Sequence, residues 1–197
     1  MSNKDYIDEN YIRSLIKSHK FIIESYKSRY SQAIQKIKEM EEDIILSTQL
    51  PGTDYSDNTF SASTNPSDKM IRTVETLEEF RNKHKIIHEL VRLREKIDDI
   101  DLIFDIYRSL QTFMPVHYEV TNHLYYRAEQ YDYCENLFER SGKTLKEMAD
   151  TTIHIVYMFF QRGITDETID RLSVDEFCEL IGEELYIKIK KKESKEK

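Results

Sequence analysis

The chain has 197 residues and a formal net charge of -8, and charged residues make up 34% of it. Proteins that coat nucleic acid in bulk are strongly basic, so this charge argues against that class. The sequence holds only four glycines, three prolines and no tryptophan, which favours long exposed helices over a sheet. We expect an all-α protein, organised as one compact domain or as a small domain with a helical arm.

The sequence predicts neither export nor a membrane span. Residues 1–5 lack the apolar core of a signal sequence, and no apolar run approaches the length of a transmembrane helix. Cys134 and Cys178 lie far apart with no pattern around them, which fits a reducing compartment rather than a disulfide framework. We therefore expect a soluble, cytoplasmic protein.

Residues 1–46 are predicted to form an N-terminal amphipathic helix, with its regular part starting near residue 6. Its apolar residues recur three or four apart, at Ile12, Leu15, Ile22, Tyr26, Tyr30, Ala33, Ile37, Met40 and Ile44. This spacing suits a coiled-coil seam. Positive and negative charges nearly balance along the arm, so we expect it to pack or dimerise rather than to bind DNA.

Residues 47–67 are predicted to form a loop. Pro51 and Gly52 signal a turn, and Ser, Thr, Asn and Asp dominate residues 56–67. A loop of this length exceeds the usual range for a connection between helices.

Residues 68–114 return to the helical period, with Ser67 or Asp68 as the expected N-cap and Pro115 as the stop. A helix this long must lie against another helix. We predict an antiparallel hairpin of residues 1–46 and 68–114, through which the chain forms a homodimer.

Residues 116–187 are predicted to form a C-terminal helical bundle. Thr144 with Glu147 three residues later resembles a capping box, and Gly163 should stop the helix. Thr165 and Ser173 each begin a segment with early carboxylates, which is typical of helix N-termini. Residues 188–197 are rich in lysine and are predicted to be a disordered, solubilising tail.

Histidine and cysteine side chains can act as metal ligands or, for cysteine, as catalytic nucleophiles. His84 and His88 are four residues apart, but no third ligand accompanies them and His84 falls on the apolar stripe, which favours a histidine at a helix interface. Cys134 is accompanied by scattered histidines but by no glycine-rich elbow or oxyanion loop. We expect no metal, no cofactor and no enzymatic activity.

Short motifs in a particular order carry a family resemblance. Ser67-Asp68-Lys69 leads into Thr73-Val74-Glu75 and a long charged helix, residues 124–127 read Leu-Tyr-Tyr-Arg, and residues 142–149 read Gly-Lys-Thr-Leu-Lys-Glu-Met-Ala. In this order the features resemble small bacteriophage transcriptional regulators of the RinA and ArpU type, best over residues 36–110. In that group a helix-turn-helix like that of sigma-factor region 4 comes after the helical arm.

The resemblance implies a non-enzymatic phage or prophage regulator of transcription that binds DNA, RNA polymerase or both. The helices between residues 124 and 162 would touch DNA as a degenerate helix-turn-helix. The expected phosphate contacts, chosen by position and charge, are Arg127, Lys143, Lys146 and Arg162.

The chain departs from this family where a turn and a basic recognition helix are expected. Residues 150–154 are too short for the usual turn, and residues 157–160 are bulky and apolar. Residues 141–186 hold ten acidic residues against four basic ones, which repels phosphate. This excess favours an alternative, an acidic helical module that binds a host or phage protein as an inhibitor or scaffold.

Overall fold

The computed structural model describes residues 7–49 and 66–194, and these ranges hold helices and no strand, which confirms the all-α class. No helix in these ranges is long and apolar enough to cross a membrane. The helices in chain order are α1 (Glu9–Gln49), α2 (Pro66–Lys83), α3 (Lys85–Ser109), α4 (Pro115–Thr121), α5 (Tyr131–Phe138), α6 (Gly142–Arg162), α7 (Asp166–Asp170), α8 (Val174–Ile181) and α9 (Glu183–Glu193).

The chain divides into two compact units. The hairpin unit is Ser25–Ile97, and the bundle unit is Met1–Glu24 together with Asp98–Lys197. Each of α1 and α3 contributes residues to both units. A 3₁₀ turn (Leu110–Thr112) comes directly after α3, and a π-helical turn (Asn122–Tyr126) comes directly after α4.

The hairpin unit pairs α1 with α2 and α3 in antiparallel register. Residue numbers rise along α1 while those of the facing residues fall, as three contacts show: Tyr26 with Lys96, Arg29 with Glu89, and Glu41 with Arg81. Ala33 and Leu93 are buried in this unit. The predicted hairpin is therefore present over these residues.

The prediction of one continuous helix over residues 68–114 is wrong at His84. Nδ1 of His84 accepts a hydrogen bond from the backbone N–H of Ile86 at 3.3 Å, and the N–H of Ile87 bonds to the carbonyl of His84 at 3.1 Å. A side chain that bonds to its own backbone competes with the helical ladder, which separates α2 from α3. The ring of His84 packs against that of Phe80, with 4.9 Å between centroids.

The ends of the predicted loop also differ from the structure. Helix α1 continues to Gln49, and α2 begins at Pro66, ahead of both expected caps, Ser67 and Asp68. Proline is favoured at the first position of a helix, because its fixed φ suits the helix and its missing N–H would be unpaired there. The rest of the predicted loop, residues 50–65, lies outside the described residues.

Helix α6 is the centre of the bundle unit. It packs against α4 and α5, and its buried residues are Leu145, Met148, Ala149, Thr152, Ile153, Ile155, Val156, Phe159 and Phe160. Three aromatic rings join α6 to α8 and to the end of the 3₁₀ turn. Phe177 stacks on Phe113 with 4.3 Å between centroids and meets Phe159 edge-on at 6.0 Å.

The capping box predicted at the start of α6 is wrong. Ser141, not Thr144, is the N-cap, and its Oγ accepts from the N–H of Thr144. Glu147 instead pairs with Lys192 at 2.9 Å. Helix α6 also continues without interruption through residues 150–154, so a helix-turn-helix with its turn after Ala149 is not formed.

Other predicted helix boundaries are confirmed. Gly163 ends α6 in the left-handed conformation, with φ 68°, which a residue without Cβ adopts at little cost. Thr165 precedes α7, and Ser173 and Glu176 form a complete capping box at α8.

The predicted disordered tail is wrong for residues 188–193, which belong to α9. Ile189 is only 1% exposed. Nζ of Lys190 donates to the carbonyl of Phe113 at 2.9 Å and to Glu193 at 3.0 Å. The composition of this segment alone predicts disorder. The segment is ordered because Ile189 is buried and because Lys190 donates a hydrogen bond to a backbone carbonyl.

Candidate nucleic-acid interface

The four residues predicted to contact phosphate do not form one patch. Lys143 and Lys146 are exposed on the first turn of α6. Arg162 lies in its last turn, about 28 Å further along the helix axis, and its guanidinium donates to the carbonyl of Leu180 at 2.7 Å. Arg162 therefore donates a hydrogen bond to a carbonyl group at the C-terminal end of α8. Arg127 is exposed at the end of the π-helical turn.

The hairpin unit contains a groove of 570 Å³ with a strongly basic lining. Helix α1 contributes Tyr26 and Arg29, and helix α3 contributes the rest of the lining, which is Lys85, His88, Glu89, Arg92, Leu93 and Lys96. We call this feature the basic groove. Its basic residues outnumber its single carboxylate, and the buried side chain of Leu93 lies at its base.

The periodicity of α3 places three positive side chains and one histidine on one face. Lys85, His88, Arg92 and Lys96 succeed one another at intervals of three or four residues, which is the repeat of an α-helix. From the first to the last, this stripe extends about 16 Å along the helix axis. The helix thus presents three cations, Lys85, Arg92 and Lys96, along one face beside α1.

Part of this charge, on Lys85 and Arg92, is available to a ligand. Arg29 pairs with Glu89 at 3.0 Å, but both side chains are more than half exposed, and such pairs contribute little and exchange partners readily. Lys85 and Arg92 have no ion-pair partner among the side chains that the structure describes. Nζ of Lys96 lies 5.8 Å from the ring centroid of Tyr26.

The near balance of charge over a whole helix hides this groove in the sequence. Residues 25–38 contain four basic residues and no acidic one, whereas residues 39–43 contain four acidic ones. Residues 81–96 contain six basic residues and two acidic ones. The antiparallel register brings residue 26 beside residue 96 and residue 41 beside residue 81, so the two basic segments face each other. A windowed charge count along the hairpin would have found them.

The side chains that line the groove are suited to binding anions. It offers ammonium and guanidinium groups, which bind phosphate oxygens, and one phenol ring. Within residues 7–49 and 66–194, His, Cys, Asp and Glu side chains form no group of three or more that could hold a metal ion. Comparison with models of known protein families, with curated proteins and with solved structures finds no match for this chain.

Proposed function

We propose that the chain is a non-enzymatic regulator of phage transcription that binds the phosphate backbone of DNA through the basic groove. The observation that carries this proposal is the segregation of positive charge onto facing segments of the hairpin unit in a chain of net charge -8. The resemblance to RinA- and ArpU-type regulators supports the biological setting and extends the expected partners to RNA polymerase. The groove replaces α6 as the place where DNA is expected to bind.

The dimensions of the stripe fit a DNA strand. Phosphates of one strand recur about every 3.4 Å along the duplex axis, so a 16 Å stripe passes roughly five of them. Lysine and arginine on such a stripe contact phosphate without reading bases. We therefore expect the groove to set the affinity and position of the chain on DNA, with strong salt dependence and little sequence preference.

The test is duplex binding by fluorescence anisotropy across a salt series. We expect the logarithm of the association constant to fall with the logarithm of salt concentration with a slope of about -3 to -4, as phosphate contacts by Arg29, Lys85, Arg92 and Lys96 predict. The variant Lys85→Gln/Arg92→Gln/Lys96→Gln should reduce the magnitude of that slope by about 3 and weaken binding at low salt by roughly tenfold or more. Each replaced residue lines the groove and is not fully buried, so the helices should remain folded.

The matched control is Lys143→Gln/Lys146→Gln, which removes two exposed lysines from the first turn of α6. Affinity and slope should remain those of the parent chain. Absence of binding at low salt would contradict the proposed function. A loss of affinity in the α6 variant, with the groove variant unchanged, would return the DNA contact to the position predicted from the sequence.

The homodimer expected from the sequence is a second proposal, and an apolar surface of α2 supports it. Met70, Ile71 and Val74 are exposed on α2 in the hairpin unit, and exposed apolar groups that recur on one helix are typical of helix–helix association. Under this proposal a second copy of the chain covers them. Light scattering should then give about twice 23.6 kDa, and Met70→Ser/Val74→Ser should restore the monomer mass. A parent chain that is already monomeric would exclude the homodimer.

A further inference from the structure

The basic groove also contains apolar side chains, which contacts with phosphate alone do not require. Tyr26 lines the groove from α1, and the buried side chain of Leu93 lies at its base. Tyr26 is only half-buried, so part of its ring is open to the groove. Affinity for phosphate needs cations and no aromatic ring. The ring therefore indicates a ligand that carries a flat, apolar group next to its phosphates.

The ring of Tyr26 lies among the cations of the groove. Nζ of Lys96 is 5.8 Å from the ring centroid. Arg92 comes one turn before Lys96, about 6 Å away along the axis of α3. On α1, Arg29 follows Tyr26 by one turn, and its guanidinium donates to Glu89 at 3.0 Å. A ligand whose phosphates contact these cations thus brings its neighbouring groups close to the ring.

The volume of the groove limits the form of DNA that can enter it. At 570 Å³ it falls in the range of about 300 to 1,000 Å³ that is typical of small-molecule sites. This volume has room for a short piece of one strand. A duplex, whose major groove alone is about 12 Å wide, cannot enter and can only lie across the exposed cations. The bases of a duplex are also stacked on one another, whereas an unpaired strand presents their faces.

We propose that the basic groove takes up an unpaired strand of DNA, with one base stacked on the ring of Tyr26 and the adjoining phosphates on Arg29, Arg92 and Lys96. This inference rests on the proposed function, since it concerns the same groove, and it names the form of DNA that the groove accepts. Proteins that bind single strands without sequence preference combine a positive groove with aromatic side chains, because every base has a face that can stack.

The first test compares three ligands of equal length by fluorescence anisotropy with the full chain. The ligands are oligo(dT), an abasic deoxyribose-phosphate oligomer and a duplex. The abasic oligomer carries the same charge as oligo(dT) but has no bases. At equal salt concentration oligo(dT) should bind about tenfold more tightly than the abasic oligomer, because only oligo(dT) can stack on the ring. Equal affinities of these two ligands would overturn the inference.

Substitution of Tyr26 tests the stacking contact itself. Tyr26→Leu keeps an apolar side chain but removes the ring, and it should weaken binding of oligo(dT) by about tenfold. Its salt slope should equal that of the parent chain, since stacking releases no counterions. Its affinity for the duplex should also be unchanged, which shows in the same experiment that the hairpin unit remains folded. Tyr26→Phe retains the ring and should bind oligo(dT) within about twofold of the parent chain.

The matched control is Tyr30→Leu. Tyr30 is a half-buried tyrosine of the same helix and the same unit, but it does not line the groove, so its replacement should leave all three affinities unchanged. The inference is overturned if Tyr26→Leu binds oligo(dT) as tightly as the parent chain, or if it loses affinity for oligo(dT) and the duplex equally. A parent chain that binds neither form of DNA at low salt would instead contradict the proposed function, and this inference with it.

Discussion

Replacement of Phe177 by alanine should lower the free energy of unfolding of the bundle unit by about 3 to 5 kcal/mol. Phe177 is fully buried and joins two other rings, since it stacks on Phe113 and meets Phe159 edge-on. Its removal loses the burial of a large apolar side chain, the two ring contacts and the packing around the space left behind. Because domains are stable by only about 5 to 15 kcal/mol, this one change removes a large share of the total.

Urea denaturation followed by circular dichroism measures this effect as a lower transition midpoint. Phe21→Ala is the matched control, because Phe21 belongs to the same unit and is 76% exposed. Its replacement should change the free energy of unfolding by less than about 0.5 kcal/mol. Equal effects of the two substitutions would contradict the packing of α8 against the rings of Phe113 and Phe159.

Deletion of residues 188–197 should destabilise the bundle unit by about 3 to 5 kcal/mol. The deletion removes the buried side chain of Ile189 and the charged hydrogen bond from Lys190 to the carbonyl of Phe113. It also removes the pair between Lys192 and Glu147 and exposes the buried side chain of His117. A disordered tail, as the composition predicts, could be removed without any such effect.

Two single substitutions separate the apolar contribution of α9 from the rest. Ile189→Ala should lower the free energy of unfolding by about 2 kcal/mol or more, because this side chain is 1% exposed. Ile187→Ala, in the same helix, should have an effect of less than about 0.5 kcal/mol, since Ile187 is 42% exposed. Denaturation midpoints of the two variants that coincide would show that Ile189 does not anchor α9 to the bundle unit.

The features that can be predicted correctly from the sequence are local. Gly163 ends α6 and Ser173 caps α8. In both cases the cause lies within four residues: a left-handed backbone or a hydroxyl that accepts from the first turn. Pro115, expected to stop the long helix near residue 114, is instead the first residue of α4, and α3 already ends at Ser109. The all-α class can likewise be predicted from the spacing of apolar residues three or four apart.

The features that the sequence does not reveal depend on residues far apart in the chain or on a choice between neighbours. The order of α9 rests on a carbonyl 77 residues away from Lys190, which no local pattern contains. Ser141 and Thr144 are both acceptable caps, and the choice of Ser141 leaves Glu147 outside the capping-box position, where it pairs with Lys192. The break at His84 arises because an imidazole can accept a backbone hydrogen bond, which the apolar period does not reveal.

The candidate site can be predicted only in part from the sequence. The apolar period predicts the hairpin, and the register of the hairpin is what brings the basic segments of α1 and α3 together. The short motifs instead indicate a DNA contact at Lys143 and Lys146. Net charge over a whole helix conceals a positive segment next to a negative one. Facing segments, rather than whole helices, are the unit over which charge should be counted.

Under the proposed function, the contrast between a basic groove and a net charge of -8 would limit how densely the chain can occupy DNA. Each bound molecule would neutralise a few phosphates locally but add negative charge to that stretch overall. A second molecule within a Debye length, about 8 to 10 Å at moderate salt, would meet this repulsion. We therefore expect binding at isolated positions rather than as a filament.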